Sequence, residues 1–323
     1  MERPLPRGRA PALVAALLLL LWAAGAWAAP FSFVAIGDTQ GRTDAEPVNA
    51  VFSRIVAKVL ELEPRPAFVL VAGDLVVGEA VPGEGREATL TRELRAWQRA
   101  AAPLLAAGIR VYPVTGNHEV WGSYAIERER ACRKVLGELQ YSFSYQGSRF
   151  IGLDTDRVGQ RRTPDLAWLE GQLASARAEG AEHVFVFGHE PAFTAIGRDS
   201  LKDADAFWKL LADYGADAYI CGHEHLYGRT TRAGVLQVTT GGAGGPLLPI
   251  AGAAGFDVAV GTYHLTVWRV DGPRVEIRSL SYDPTKGSIA DAWRQIDALT
   301  YTKPRPFKPA AVPAKAAGKP TGK

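Results

Sequence analysis

Four of the chain's six histidines stand in one kind of place. His118, His189, His223 and His225 follow short apolar runs that end in glycine, as do Asp38, Asp74 and Asn117. The runs read FSFVAIGD (31–38), AFVLVAGD (67–74), RVYPVTGNH (110–118), HVFVFGHE (183–190) and DAYICGHEH (217–225). A single aspartate after such a run more often caps a turn. Imidazole nitrogens, carboxylates and an amide oxygen recurring in the same setting form a mixed N/O donor set instead. That set suits Zn, Mn, Fe or Co better than Ca or Mg alone. Its donors outnumber what one tetrahedral ion takes, so the pattern predicts two ions side by side.

The apolar runs are rich in β-branched and aromatic residues and bounded by glycine, as buried strands are. Amphipathic helical patterns lie between them: Val48–Leu62, Ala88–Leu105, Tyr124–Leu136, Asp165–Ala178 and Ala204–Tyr214. Thr163-Pro164-Asp165 opens one of these with a cap and an early proline. Alternating strands and helices predict an α/β fold whose strand tips carry the site. Later segments read as period-two strands: 141–146, 149–155, 235–242, 263–270 and 274–280, with Asp271-Gly272 as a hairpin turn. Two sheets are therefore expected, one parallel-rich and one more antiparallel. Gly241–Gly255 reads as a long loop, and loops 78–92, 119–126, 190–203 and 241–260 would set specificity.

The ordered series GD, GD, GNHE, GHEP, GHEH resembles the calcineurin-like metallophosphoesterase superfamily, most of all its purple acid phosphatase branch and that branch's secreted bacterial relatives. The resemblance runs from residue 31 to about 282. It implies a four-layer α/β/β/α sandwich and an enzyme, a metal-dependent phosphoric ester hydrolase. In that chemistry a metal-bound hydroxide attacks a phosphate ester without a covalent phosphoenzyme. By position, Asp74 resembles the carboxylate that bridges both ions. Asp38 and His225 resemble ligands of the first ion; Asn117, His189 and His223 resemble ligands of the second. His118 resembles the residue that contacts phosphate and assists the leaving group. The expected cofactors are two divalent or trivalent ions, Mn, Fe or Zn, and the expected partner is a small phosphorylated substrate. The first motif departs from the frequent Asp-x-His: here it is Asp38-Thr39-Gln40. Gln40 either coordinates through its amide oxygen, bonds a water on the ion, or does neither. Where purple acid phosphatases carry a tyrosine ligand, three residues past the bridging aspartate, this chain has Val77, so a tyrosinate-bound iron is not expected.

Other polar residues read less sharply. His183 and His264 lie inside strand patterns and are expected to be structural. Glu119 and Glu190 flank ligands and either orient a histidine or are surface charges. Asp154 orients a ligand or caps a turn. Arg42, Arg198 and Arg229 lie near motifs, as candidates for substrate phosphate or as surface arginines. Trp121 walls the pocket or packs in the core. Cys132 and Cys221 are too few for a disulfide scaffold, and their spacing gives no support for a bond.

Charge divides unevenly along the 323 residues, whose net value is +3. Residues 1–28 carry +2 and residues 302–323 carry +6, which leaves −5 for the stretch between. An acidic domain without a basic–aromatic stripe is not a nucleic-acid binder. Apolar residues at 47% and charged residues at 22% are ordinary globular values. Residues 1–28 read as a signal peptide: Arg3, Arg7 and Arg9, an uncharged run from Ala12 to Ala28, and Ala26-Trp27-Ala28 as a small-x-small cleavage pattern. An uncleaved anchor is the alternative; with cleavage, no stable membrane insertion is expected and the mature protein is secreted or periplasmic. Residues 29–301 would form the metallophosphoesterase domain. Residues 302–323 read as a disordered Lys/Pro/Ala-rich tail, able to contact anionic envelope polymers. The competing reading of function is a non-catalytic envelope protein that keeps the metal-binding fold.

Overall fold

A computed structural model describes residues 28–78, 84–120, 122, 124–250, 252–286 and 291–303. The proposed signal peptide (apart from Ala28), Trp121 and the chain beyond Lys303 lie outside the described residues.

Along the chain run β1 (Phe31–Ile36), β2 (Gln40–Thr43), β3 (Glu46–Val48), α1 (Ala50–Glu61), β4 (Phe68–Ala72), α2 (Arg86–Ala106) and β5 (Arg110–Val114). A single helical turn, α3 (Asn117–Val120), and α4 (Ala125–Leu136) follow, then β6 (Tyr141–Tyr145), β7 (Ser148–Gly152), α5 (Leu166–Ala178), β8 (His183–Phe187), α6 (Ala204–Asp213) and β9 (Ala218–Cys221). The chain continues through β10 (Tyr227–Arg232), β11 (Val235–Thr240), β12 (Val258–Val260), β13 (Tyr263–Asp271), β14 (Arg274–Tyr282) and β15 (Trp293–Thr302). Among the described residues two large sheets form, ordered β15-β14-β13-β1-β4-β5 and β12-β10-β11-β9-β8-β7-β6.

Side-chain alternation stacks the layers. On β1, Phe31, Phe33 and Ala35 face the second sheet, in one cluster with Phe68, Phe150, Phe185, Phe187 and Trp268. Val34 and Ile36 point the other way, towards Phe52 and Ile55 of α1 and Leu94 and Trp97 of α2. The outer face of the second sheet is covered by Leu169 and Leu173 of α5 and Phe207 and Leu211 of α6. The result is the four-layer α/β/β/α sandwich. Phe33 is its pin: fully buried, it stacks on Phe68 at 5.4 Å and meets Phe150 edge-on at 5.2 Å. Truncating such a ring costs about 3–5 kcal/mol.

Besides strands β2, β3, β10, β12 and β15, which the sequence patterns did not single out, three differences bear on the architecture. The sheets do not divide into one parallel-rich and one more antiparallel, because motif strands and later strands mix in both. In the first, β1, β4 and β5 run parallel at one end and β13, β14 and β15 continue it by antiparallel pairing; in the second, β7, β8, β9 and β11 run parallel between antiparallel β6 and β10. Helix α1 begins at Ala50, with the Asn49 side chain accepting from the Val51 N–H at 2.9 Å, because residues 46–48 pair with β2 as a small hairpin. The boundary expected at 302 also moves. Strand β15 extends to Thr302, and Lys303 Nζ pairs with buried Asp217 at 2.6 Å, so the folded domain reaches Lys303. Asp271-Gly272 forms the expected hairpin turn, with Gly272 at φ 53°. No helix among the described residues is long and apolar enough to cross a membrane.

Candidate metal centre

Parallel strands bring their carboxyl ends to one edge, and the site is built there. Asp38 stands two residues beyond β1, Asp74 two beyond β4, Asn117 three beyond β5, His189 two beyond β8 and His223 two beyond β9. Backbone hydrogen bonds lace these tips together: Asp38 N to Gly73 O, Gln40 N to Asp74 O, Gly222 N to His189 O and Gly245 N to Asp38 O. The glycines of the motifs are demanded by closeness. A Cβ on Gly116 would lie 2.3 Å from Asp74 Oδ1, and one on Gly222 would lie 2.4 Å from Asp38 Oδ2. Asp38, Asp74, His223 and His225 all adopt positive φ, at 61°, 51°, 71° and 39°. Such backbone costs of order 1–3 kcal/mol per residue and persists where the surroundings impose it.

The side chains converge as two adjoining groups. In each of the sets Asp38, Asp74, His225 and His189, Glu190, His223, the donor atoms lie within 4.8 Å of one another, and all six residues are buried. Asp74 links the groups: its Oδ2 is 3.3 Å from His189 Nε2, and its Oδ1 accepts the His118 N–H at 2.9 Å. Asn117 Oδ1 sits between His189 Nε2, at 3.1 Å, and His223 Nδ1, at 3.0 Å. His225 Nε2 is 3.4 Å from Asp38 Oδ1, whose carboxylate also accepts the His223 N–H. Every residue singled out as a ligand in the sequence therefore reaches one place.

The protons of this cluster decide what it can hold. His189 Nδ1 is 2.8 Å from Ala72 O, and His225 Nδ1 is 2.8 Å from Pro246 O. A carbonyl only accepts, so both nitrogens carry hydrogen, and in the neutral rings an ion requires the two Nε2 lone pairs point inward. Gln40 follows the same logic. Its amide nitrogen belongs beside the carbonyls of Asp38 and Asp74, 3.1 Å from each, which turns the amide oxygen towards His225 Nε2 at 3.2 Å. That same atom is 3.4 Å from Asp74 Oδ2. When His225 is neutral, amide oxygen, carboxylate oxygen and imidazole lone pair thus face one another; otherwise a proton on His225 Nε2 is what they share. Cations reconcile such an arrangement, and the N/O donor set with two carboxylates fits two of them.

Electrostatics agree. Burial opposes charge on Asp74, but positive charge on protonated His189 and His118 outweighs it and holds its pKa well below the usual carboxylate range; an ion among these donors would take the place of the His189 proton. Burial pushes His223 down to about 2, and neighbouring His189 and Arg198 act in the same direction, so His223 is neutral.

His118 stands apart from the cluster. It is 35% exposed at the mouth of the site, with Nε2 3.9 Å from Asp74 Oδ2. Its Nδ1 is 2.7 Å from Val77 O, which fixes the ring and leaves Nε2 available. The position where purple acid phosphatases carry tyrosine thus contributes a backbone carbonyl here.

Several supports escaped the sequence reading. Buried Arg128 donates to the carbonyls of His118 and Gly78. Nothing but its place on the Ala131–Cys132 face of α4 hints at this. Glu93 accepts from Gly78 N–H at 2.8 Å. Glu224 accepts from Ala195 and Ile196 N–H at 2.8 and 3.1 Å, pinning the 190–203 loop to the turn between His223 and His225. Glu119 is no surface charge: it accepts from Val76 and Gly116 N–H at 3.0 and 2.8 Å, and burial, then Asp74, push it up to about 7. Asp154 binds Thr115 Oγ1 and caps Asp156 N. Arg229 is committed to Asp297 and Asp257, and Arg198 donates to His223 O at 2.6 Å. His183 pairs with Asp217, His264 is buried within β13, and both cysteines are buried and free.

The sequence profile of the calcineurin-like phosphoesterases matches residues 31–227. The chain belongs to this family. It is a metal-dependent phosphoric ester hydrolase whose cofactor is a pair of metal ions. The chain is 25% identical over 299 residues to the rat serine/threonine-protein phosphatase CPPED1, covering 84% of this chain and 90% of that one. It is 26% identical over 245 residues to rat tartrate-resistant acid phosphatase type 5, covering 65% and 71%. The fold is that of purple acid phosphatase PPD1 from yellow lupin, with a TM-score of 0.68 at 15% identity, over 85% of this chain and 54% of the plant enzyme.

Proposed function

We propose that this phosphoesterase is an exported phosphatase acting on phosphate monoesters. In this reading Asp38, Gln40, Asp74 and His225 hold one ion, and Asp74, Asn117, His189 and His223 hold the other. The observation that carries it is the inward-facing set of lone pairs fixed by Ala72 O, Pro246 O and the carbonyls of Asp38 and Asp74. When bound, the ions supply charge for the phosphoryl oxygens and a water of lowered pKa. The chain's own share is positioning and proton transfer. Val77 O orients His118, and Arg128 holds that residue's backbone. Protonated at Nε2, His118 gives its proton to the departing alkoxide oxygen. Monoesters are favoured because the relatives named above are phosphatases.

Export is supported by the basic, apolar and small-x-small sequence of residues 1–28. The five cations beyond Lys303 suit contact with anionic envelope polymers. The test is hydrolysis of an aryl phosphate monoester and the matching diester after loading with Mn, Zn or Fe. Turnover of the monoester is expected. A fully loaded protein that turns over neither ester would leave a metal-binding scaffold in its place.

A further inference from the structure

Glu190 lies in the second donor group but is assigned to neither ion, and it is the most anomalous side chain there. It is fully buried, and neither carboxylate oxygen has a hydrogen-bond partner among the described residues. Buried carboxylates are ordinarily paired. Its direction is imposed. The Glu190 N–H donates to Thr155 Oγ1 at 3.3 Å, and its carbonyl accepts the Tyr219 hydroxyl at 2.7 Å. Pro191 restricts its backbone to extended conformations. Two residues earlier, the backbone at Gly188 packs so close that an added Cβ would lie 2.8 Å from Tyr219 Oη. Held this way, Glu190 Oε2 faces His223 Nε2 at 3.5 Å. The opposite ring nitrogen, Nδ1, is the one turned to Asn117 Oδ1 at 3.0 Å and His189 Nε2 at 3.3 Å.

We infer that Glu190 is a positioning residue for the metal centre: it fixes His223 as the Nε2–H tautomer and so presents the Nδ1 lone pair to the ion shared with Asn117 and His189. The inference rests on the proposed reading that His223 holds an ion. A carboxylate on the far nitrogen makes the imidazole a better donor, and the ion strengthens the Nε2–H···carboxylate bond in return. The ion supplies the compensation that Glu190 otherwise lacks, and its site becomes tighter than the neutral Asn-His-His donors would make it alone.

Metal-free wild type, Glu190→Gln and Glu190→Ala would be titrated with Mn against a chelating indicator. Wild type is expected to bind two ions. Glu190→Gln, which keeps the shape and an acceptor oxygen, should weaken one ion ~10–100-fold, Glu190→Ala should weaken it at least as much, and the other ion should hold. The cobalt-loaded variants should keep wild-type band intensities, because the number of ligands is unchanged. In unsubstituted protein, nitrogen–proton spectra of the imidazoles should show His223 protonated at Nε2, a readout that needs no variant to fold. Protonation at Nδ1, unchanged affinities for both ions, or altered cobalt intensities marking Glu190 as itself a ligand would each overturn the inference. A wild type that binds no metal would overturn the proposed centre itself, and this inference with it.

Discussion

Asp74 and His118 lie 3.9 Å apart, and their loss should have opposite signatures. Asp74→Asn preserves shape and still offers an amide oxygen to the His118 N–H. It removes one of the two carboxylate charges that Asp38 and Asp74 place among the donors. For an ion about 4 Å away at an effective dielectric of about 20, that charge is worth roughly 4 kcal/mol per unit of ionic charge, so roughly 8 for a divalent ion. If relaxation and entering water leave a third of this, affinity still falls ~10²-fold, at 1.4 kcal/mol per tenfold. At least one ion should then be lost on gel filtration. His118→Ala removes a partly exposed ring whose Nδ1 bonds only Val77 O, at a stability cost of about 1 kcal/mol. Metal content should stay near wild type while turnover drops ~10²–10⁴-fold. Elemental analysis, a melting curve and aryl phosphate hydrolysis on the same preparations decide the matter. If His118→Ala loses as much metal as Asp74→Asn, the division between ligand and proton donor is wrong.

Gln40→His should tighten the adjoining site for Zn relative to Mn, because imidazole is a softer donor than an amide oxygen; Gln40→Ala should release one ion more readily to a competing chelator, and unchanged metal preference and rate in both variants would remove Gln40 from the site. Burial works against the charge on Asp217, but His183 and Lys303 outweigh it and depress its pKa. With a depressed folded value, its contribution is complete above the unfolded pKa of about 3.9 and is lost as pH falls through the folded one. Asp217→Asn should therefore cost about 3 kcal/mol at pH 7, with the gap to wild type closing in acid; a gap independent of pH in urea melts would contradict this. A chain ending at Lys303 should melt like the full-length protein, whereas one ending at Tyr301 should melt several degrees lower. If the leader is removed as proposed, N-terminal sequencing of the native protein should begin at or near Ala29, and an intact Met1 in a membrane fraction would show an anchor instead.

Four of the strands that carry the site, β1, β4, β8 and β9, were legible because they are buried on both faces and end in a glycine with a polar residue beyond, whereas edge strand β5 is mostly half-buried and was legible from the Gly116-Asn117-His118 motif after it. FVLVA of β4 and HVFVF of β8 have every residue buried, and such runs can hardly be anything else. Strand β15 was missed for the converse reason. Its pairing with β14 shifts register between Ser279 and Leu280, which meet Asp297 and Gln295 and leave Ile296 as the extra residue of a bulge. The bulge breaks the alternation by which a half-exposed strand is recognised. The tail boundary was misplaced with it, since only the fold brings Lys303 to Asp217, 86 residues earlier.

The sequence by itself picked out the candidate site residues, because metal chemistry restricts residue type and a strand tip restricts place. Asp38, Gln40, Asp74, Asn117, His118, His189, His223 and His225 could all be named from order and context. Only the tertiary structure decided how they are used. It decided which nitrogen of His189 and of His225 faces inward, through Ala72 O and Pro246 O, which no local spacing announces. It turned the Gln40 amide by the carbonyls of Asp38 and Asp74, and it gave Glu190, indistinguishable in sequence from a surface charge, a sealed position behind His223. Proton positions and burial are set by neighbours that meet only on folding, and no local spacing encodes them.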